Sequence, residues 1–315
     1  MPLTVTFGLL LVDGRALSWS VVAALALLVL SVCAAANYGY AINELFDVDE
    51  DARAGRVNAA AAIGVARVRG SAFVSAVVAL LAATAAGGLA ALALTVLELC
   101  QPLVYSVPPL RLKERGWLAV ASDALAAHVY PAALALLAVA HWHVRPVPLS
   151  LAVSAVVWSA AAGTRGILSH LLSTAERDRI AGLQTIVHVR GSPGLERALR
   201  LGLVPLELAA FVVMLLSCDG AFALWILVAL WAVYEMARGV RGFTSVVLRA
   251  EGRRYLPFSE ERFYKAWGPL ALAIDAARVD PFYLALVPVY AVLFRPLLVD
   301  ELWRVRALIE SVRAR

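Results

Sequence analysis

Apolar residues run from end to end of this chain in long blocks, for example Val21 to Ala36, Ala72 to Ala86, Leu118 to Ala140, Leu149 to Ala162, Leu201 to Leu216 and Phe222 to Val233. Each block has the length of a helix rather than a strand. The breaks between blocks delimit apolar segments near 3–12, 18–45, 71–86, 89–106, 117–140, 147–173, 196–217, 221–238 and 281–299. In lipid, a single segment satisfies its own backbone only as a helix. The pattern therefore predicts an all-α integral membrane protein, a bundle of about nine helices. Ala-Ala-Gly-Gly at 85–88 predicts a turn between two short helices. The first segment, 3–12, is too short to cross a hydrocarbon core of about 30 Å at about 1.5 Å per residue. It predicts either a partial first helix or a start that lies within a longer one.

Composition agrees with this pattern. The 315 residues are 62% hydrophobic and 16% charged, with a mean hydropathy of +0.80, values foreign to soluble domains. Neither a soluble domain nor a low-complexity linker interrupts the series, so 1–315 is expected to be one transmembrane domain. Cys33, Cys100 and Cys218 stand singly in or beside apolar stretches, as packing residues do, without the spacing of a metal or disulfide framework. The N-terminus lacks the three-part pattern of a cleaved signal.

Lys and Arg give the bundle a direction. Loops at 46–70, 107–116, 174–200 and 238–265 hold 19 of them, and the alternate loops at 13–17, 87–88, 141–146, 218–220 and 276–280 hold 3. By the positive-inside rule the first set faces the cytoplasm, across the cell (inner) membrane. One group resists: with an odd number of segments the tail, carrying Arg295, Arg304, Arg306, Arg313 and Arg315, lands outside unless it is an interfacial helix or the segment count is off by one.

Against this apolar background, "NELFDVDED" at 43–51 sets five acids in nine residues. On a continuous helix Asn43, Asp47 and Asp51 share one stripe, with Glu44 adjacent. Carboxylates crowded at a membrane rim repel one another and lose solvation, so a compensating cation is expected. Mg²⁺ suits such oxygen donors and completes its shell with water and phosphate oxygens. Arg53, Arg56 and Asn58 follow at once, which balances the charge for a phosphorylated ligand; Asp49 and Glu50 are expected to be solvated bystanders. The alternative is a solvated loop start with its acids facing water. A second loop on the same side reads "YSVPPLRLKERG": Pro-Pro imposes an extended turn, and Arg111 and Lys113 can hold a diphosphate, or simply set topology. A third reads "SHLLSTAERDRIAGLQT", placing Thr174, Asp178 and Gly182 at i, i+4, i+8, with Glu176 and Asp178 as candidate metal ligands and Arg179 as a phosphate contact. A capped, salt-bridged helix end is the plainer reading of that stretch.

Together these stretches resemble the UbiA superfamily of intramembrane prenyltransferases. Asn43 to Asp51 is similar to its NDxxDxxxD motif, with Glu44 in place of the first Asp. Tyr105 to Lys113 is similar to its YSxPPxxLK loop. Asp178, Gly182 and Thr185 match its DxxxDxxxGxxT motif, in which Thr174 stands where the first Asp is expected. The resemblance spans residues 18 to about 299. It implies nine transmembrane helices around a central cavity under a cytoplasmic cap, and Mg²⁺-dependent transfer of a prenyl group from an isoprenoid diphosphate to a lipophilic, aromatic or quinone-precursor acceptor. In that frame Asn43, Glu44, Asp47, Asp51, Glu176 and Asp178 hold metal, with Asp47, Asp51 and Asp178 central to catalysis. Arg56, Asn58, Tyr105, Arg111, Lys113 and Arg179 hold the diphosphate, and Tyr38, Tyr40, Tyr105 and Trp158 are candidates to face an allylic cation. His170, His128, Tyr130 and the intramembrane Arg165 are candidates for lesser roles, Arg165 facing the cavity or a partner. The partners expected are donor, acceptor and bilayer, not nucleic acid. Cyclisation of the prenyl diphosphate, phosphoribosyl transfer to a polyprenyl phosphate, and non-catalytic lipid binding or transport are the rival readings.

Overall fold

A computed structural model describes residues 1–142, 146–180, 182, 185–243 and 263–313, with Arg177 as backbone alone. Most of the basic loop at 238–265 thus lies outside the described residues, and every regular element within them is helical. In chain order these are α1 (Pro2–Asp13), α2 (Trp19–Phe46), α3 (Val48–Arg53), α4 (Ala59–Ile63), α5 (Val65–Ser106), α6 (Trp117–Ala124), α7 (Tyr130–Trp142), α8 (Leu149–Ile180), α9 (Ile186–Arg190), α10 (Ser192–Ala198), α11 (Val204–Leu216), α12 (Phe222–Val240), α13 (Gly268–Ala276), α14 (Leu286–Leu293) and α15 (Arg295–Arg313). Wider turns at Leu125–Val129 and Leu199–Leu203 join α6 to α7 and α10 to α11. Trp117–Trp142 and Ser192–Leu216 therefore each run as one apolar rod.

Among the described residues six helices are long and apolar enough to cross a membrane, or seven if Pro281–Leu293 and Arg295–Arg313, bent by 81°, count as one. One of the six is double. In α5, Gly87 (φ −143°, ψ 15°) and Gly88 (φ 66°, ψ −156°) leave the helical region, and the contacts made by α2 fix the directions on either side. Ser31 Oγ donates to the Ala79 carbonyl (3.0 Å), and Asn37 Nδ2 donates to Ser71 (3.0 Å) and Ser75 (2.7 Å), so 65–86 runs antiparallel to α2. Gly39 lies against Pro102, and Ser106 Oγ donates to Asn43 Oδ1 (2.6 Å), so 89–106 runs parallel to it. The Gly-Gly pair is thus the expected hairpin turn, and its limbs are about 33 and 27 Å long. Buried Ala34, Ala35, Ala79, Ala82, Ala83 and Ala86 let these backbones approach closely, as helices do in lipid, where packing and interhelical hydrogen bonds replace the hydrophobic drive.

The directions sort the loops into two ends. At one, Asp275 accepts from the Ala223 (2.8 Å) and Leu224 (3.1 Å) amides, Asp280 accepts from the Leu17 amide (2.8 Å), Tyr283 donates to the Arg15 carbonyl (2.9 Å), and Trp142 Nε1 donates to the Ala86 carbonyl (2.5 Å). At the other lie 43–64, 105–116, 174–180 and 185–190. The tail is there too, since Arg241, just past the far end of α12, donates to the Ser311 carbonyl (2.9 Å).

Two helices depart from expectation. α1, about 18 Å long, lies inside the bundle with Val5 and Leu9 fully buried, and Thr4 Oγ1 donates to the Tyr264 carbonyl at 2.7 Å. α13 falls in the stretch between the loops at 238–265 and 276–280, to which the sequence pattern assigns no apolar segment. It is short, begins Gly-Pro, follows Lys265 and contains Asp275, so it makes no long apolar run. Both feed one core, in which Trp158 packs against Phe211 (ring centroids 5.2 Å) and Tyr264 (4.9 Å).

Candidate functional site

α2 has 28 residues and so is about 42 Å long, more than hydrocarbon requires. Its last turn carries Asn43 and Glu44 beyond the apolar layer. A continuous helix is expected through Asp51, but α2 stops at Asp47 (φ −104°, ψ 7°) and α3 restarts at Val48. The Asp47 amide still donates to the Asn43 carbonyl (2.9 Å) and the Asp51 amide to the Asp47 carbonyl (2.8 Å), so the register survives the joint.

Cations hold this rim together. Lys113 Nζ lies 2.5 Å from Asp47 Oδ1 and 2.6 Å from Glu50 Oε2. Arg111, held at φ 38°, pairs with Glu50 and, at 2.8 Å, with Glu114. Glu50 is therefore no bystander: it is buried and ties the second loop to the first, whereas Asp49 is exposed. Arg56 Nε lies 2.7 Å from Asp51 Oδ1 and its Nη1 lies 3.8 Å from Asp178 Oδ1, which joins the first and third stretches. Asn58 Nδ2 donates to Asp51 Oδ2 (2.9 Å) and to the Glu44 carbonyl (3.0 Å). The Glu44 carboxylate accepts from the Ala59 amide and so anchors the start of α4.

α8, with 32 residues, is about 48 Å long and likewise outlasts the membrane. Near its end Thr174 Oγ1 donates to Asp178 Oδ2 at 2.8 Å, so the residue standing for an acid orients the acid one turn on. Glu176 and Arg179 pair with each other at 2.6 Å with side chains 60% and 64% exposed, and the structure does not bring them into the cluster. The reason is helical geometry: two residues before Asp178 and one after it fall on other faces. Thr185 caps α9, with its hydroxyl 3.0 Å from His188 Nδ1.

Beneath the cluster opens a cavity of about 650 Å³ whose lining includes Asn43, Tyr40, Tyr105 and His170, and whose wall also includes Glu98, Gln101, Ser122, Asp123, His128 and Lys265. Tyr130 accepts from Gln101 Nε2 at 3.1 Å. Trp158 belongs to the core rather than to this lining. Arg165 pairs with Glu207 at 2.6 and 3.1 Å, which settles its choice between cavity and partner. Sequence reasoning missed Glu98 and Asp123. The available signal was isolation: Glu98 is the single charged residue between Arg69 and Arg111, and Asp123 between Arg115 and Arg145.

Charged loops from three separate parts of the chain, meeting over a cavity between membrane-length helices, define a polytopic membrane protein with a site at one rim. A profile of the UbiA prenyltransferase family matches residues 1–256, and the chain belongs to that family. Among solved structures, its fold is similar to that of a UbiA homolog from Archaeoglobus fulgidus bound to DMAPP and Mg²⁺ (TM-score 0.56, 18% identity, covering 91% of this chain and 96% of that one). It is similar in the same way to the homolog bound to GPP and Mg²⁺ (TM-score 0.53, 19% identity, 91% and 95%) and to Cd²⁺ (TM-score 0.54, 17% identity, 91% and 96%). At these identities the likeness is one of fold. Comparison with curated protein sequences returns no match.

Proposed function

We propose that this chain transfers a prenyl group from an isoprenoid diphosphate to a lipophilic acceptor within the membrane, with Mg²⁺ as cofactor. The observation that carries this reading is Arg56 bridging Asp51 and Asp178, which joins the first and third charged stretches. Family membership and the ligands named for the Archaeoglobus fulgidus homolog support it.

The donor chemistry fits Mg²⁺. Asn43, Asp47, Asp51 and Asp178 offer oxygen only, and an ion that keeps waters and phosphate oxygens needs one or two carboxylates rather than a closed cage. Among the described residues no such cage of three acids, His or Cys exists. Asn43, Asp47 and Asp51 would hold one ion and Asp178, oriented by Thr174, another. When bound, the metal would offset the negative charge of the diphosphate, both in the donor and as the leaving group. Arg56, Arg111 and Lys113, already paired with Asp51, Glu50 and Asp47, are placed to turn to phosphate oxygens. Tyr40 and Tyr105 in the cavity wall offer the allylic cation aromatic faces.

In this reading 1–315 is one domain of nine crossings: α2, 65–86, 89–106, 117–142, α8, 192–216, α12, 263–276 and 281–293, the short 263–276 and 281–293, about 21 and 20 Å long, crossing where the bilayer thins around them. The two ends found above then alternate consistently, and the motif end, covered by α3, α4, α9 and 107–116 as a cap, faces the cytoplasm by the positive-inside rule. With α13 counted, the basic tail also lies inside. The test is Asp51→Asn and Asp178→Asn in purified protein with labelled geranyl diphosphate and Mg²⁺. Turnover is expected to fall about 10²- to 10³-fold, as it does when preorganised charge stabilisation is removed; undiminished turnover in both variants overturns the assignment.

A further inference from the structure

Two acids in the cavity wall, Glu98 and Asp123, have no task in the chemistry above, and of these Asp123 already interacts with another group. Glu98, on the 89–106 limb, is 6% exposed, lines the cavity, and forms no hydrogen bond or ion pair among the described residues. It sits two helical turns from Tyr105, roughly 10 Å along the axis, and so deeper in the membrane than the charged rim. Its polar neighbours on the same wall are engaged with one another: Gln101 Nε2 donates to Tyr130, and Ser122 Oγ donates to Gln101 Oε1 at 2.8 Å. These bonds fix Gln101 and leave Glu98 as the oxygen open to an incoming group. A carboxyl in lipid without a partner is costly, and one that faces a ligand cavity is read first as functional.

We propose that Glu98 receives the protic group of the acceptor, a phenolic or enolic O–H or an N–H, on an otherwise lipophilic molecule. This rests on the prenyl-transfer reading. In the transfer, the C–O bond to the diphosphate breaks with its electron pair leaving on the diphosphate. A new bond forms from the acceptor's nucleophilic atom to the prenyl carbon, and the proton the acceptor loses passes to the Glu98 carboxylate. The rim cations deal with the diphosphate, and Glu98 deals with the one charge they cannot reach. An acceptor without an exchangeable proton, such as a plain olefin, leaves this acid unsatisfied and is excluded.

The experiment uses the full chain in detergent with Mg²⁺, and 4-nonylphenol and its methyl ether 4-nonylanisole as probes. Dicyclohexylcarbodiimide, which modifies carboxyl groups in apolar surroundings, is expected to label Glu98, read by peptide mass spectrometry. The phenol abolishes this labelling, and the ether, equal in apolar bulk but without the proton, leaves it intact. Equal protection by both probes, protection by neither, or absence of labelling overturns the proposal. In turnover with the phenol, Glu98→Gln is expected to lose about 100-fold in kcat, the scale of general-base catalysis, while the KM for geranyl diphosphate stays unchanged. Loss of geranyl diphosphate binding in Glu98→Gln also overturns it, because the acid then belongs to the diphosphate site. Selective protection by the phenol in a wild-type protein that binds no geranyl diphosphate supports the Glu98 site and brings down the prenyl-transfer reading alone.

Discussion

Single side chains at the rim do work that their residue type conceals. Thr174 does not supply a carboxylate but donates to Asp178 at 2.8 Å. Thr174→Asp is therefore expected to raise Mg²⁺ affinity, measured by calorimetry, whereas Thr174→Val lowers it by freeing Asp178; equal affinities would show that Asp178 needs no orienting. Glu50, buried against Lys113 and Arg111, is the reverse case, since an expected bystander holds two cations. Glu50→Gln should lower thermal stability by about 1–3 kcal/mol, the cost of leaving buried charge unsatisfied. Deeper in the bundle, Arg165 and Glu207 are 2% and 1% exposed, and Glu207→Gln strands the guanidinium, at a cost of about 3–5 kcal/mol. At the opposite rim, burial and nearby Asp219 push the Cys218 thiol up to about 12. At pH 8 it holds almost no thiolate, so maleimide is expected to label Cys218 only after unfolding.

Elements were legible where length or a turn residue marked them. The Gly-Gly break was readable because Gly88 adopts φ 66°, ψ −156°, a conformation open to glycine and costly to other residues. An added Cβ would also meet the His141 ring at 3.2 Å. Gly88→Ala should therefore destabilise the hairpin by about 1–3 kcal/mol in thermal unfolding. α13 escaped because hydropathy detects runs and this helix is short, and α1 because nothing in an apolar decapeptide says whether lipid or protein surrounds it. The joint at Asp47 was hidden for another reason: its hydrogen bonds preserve the spacing of a continuous helix. The motif stretches stood out in the sequence, but their ion-pair partners did not, since Lys113 meets Asp47 and Glu50 only once the limbs have packed.

Across the whole molecule, the helix directions place the described parts of the motif loops and the tail at one end, and in the proposed orientation a reporter after Arg313 should react with an impermeant reagent only from the cytoplasmic side. The same arrangement has a consequence for synthesis. Arg56 meets Asp51 five residues away, Lys113 meets Glu50 across 63 residues, and Asp178 reaches Arg56 only after α8 exists. The order in which the ribosome delivers these side chains is the order in which the acidic rim is neutralised. A nascent chain halted before α8 would already carry Arg56 fixed on Asp51, a docking point waiting for the last acid to arrive.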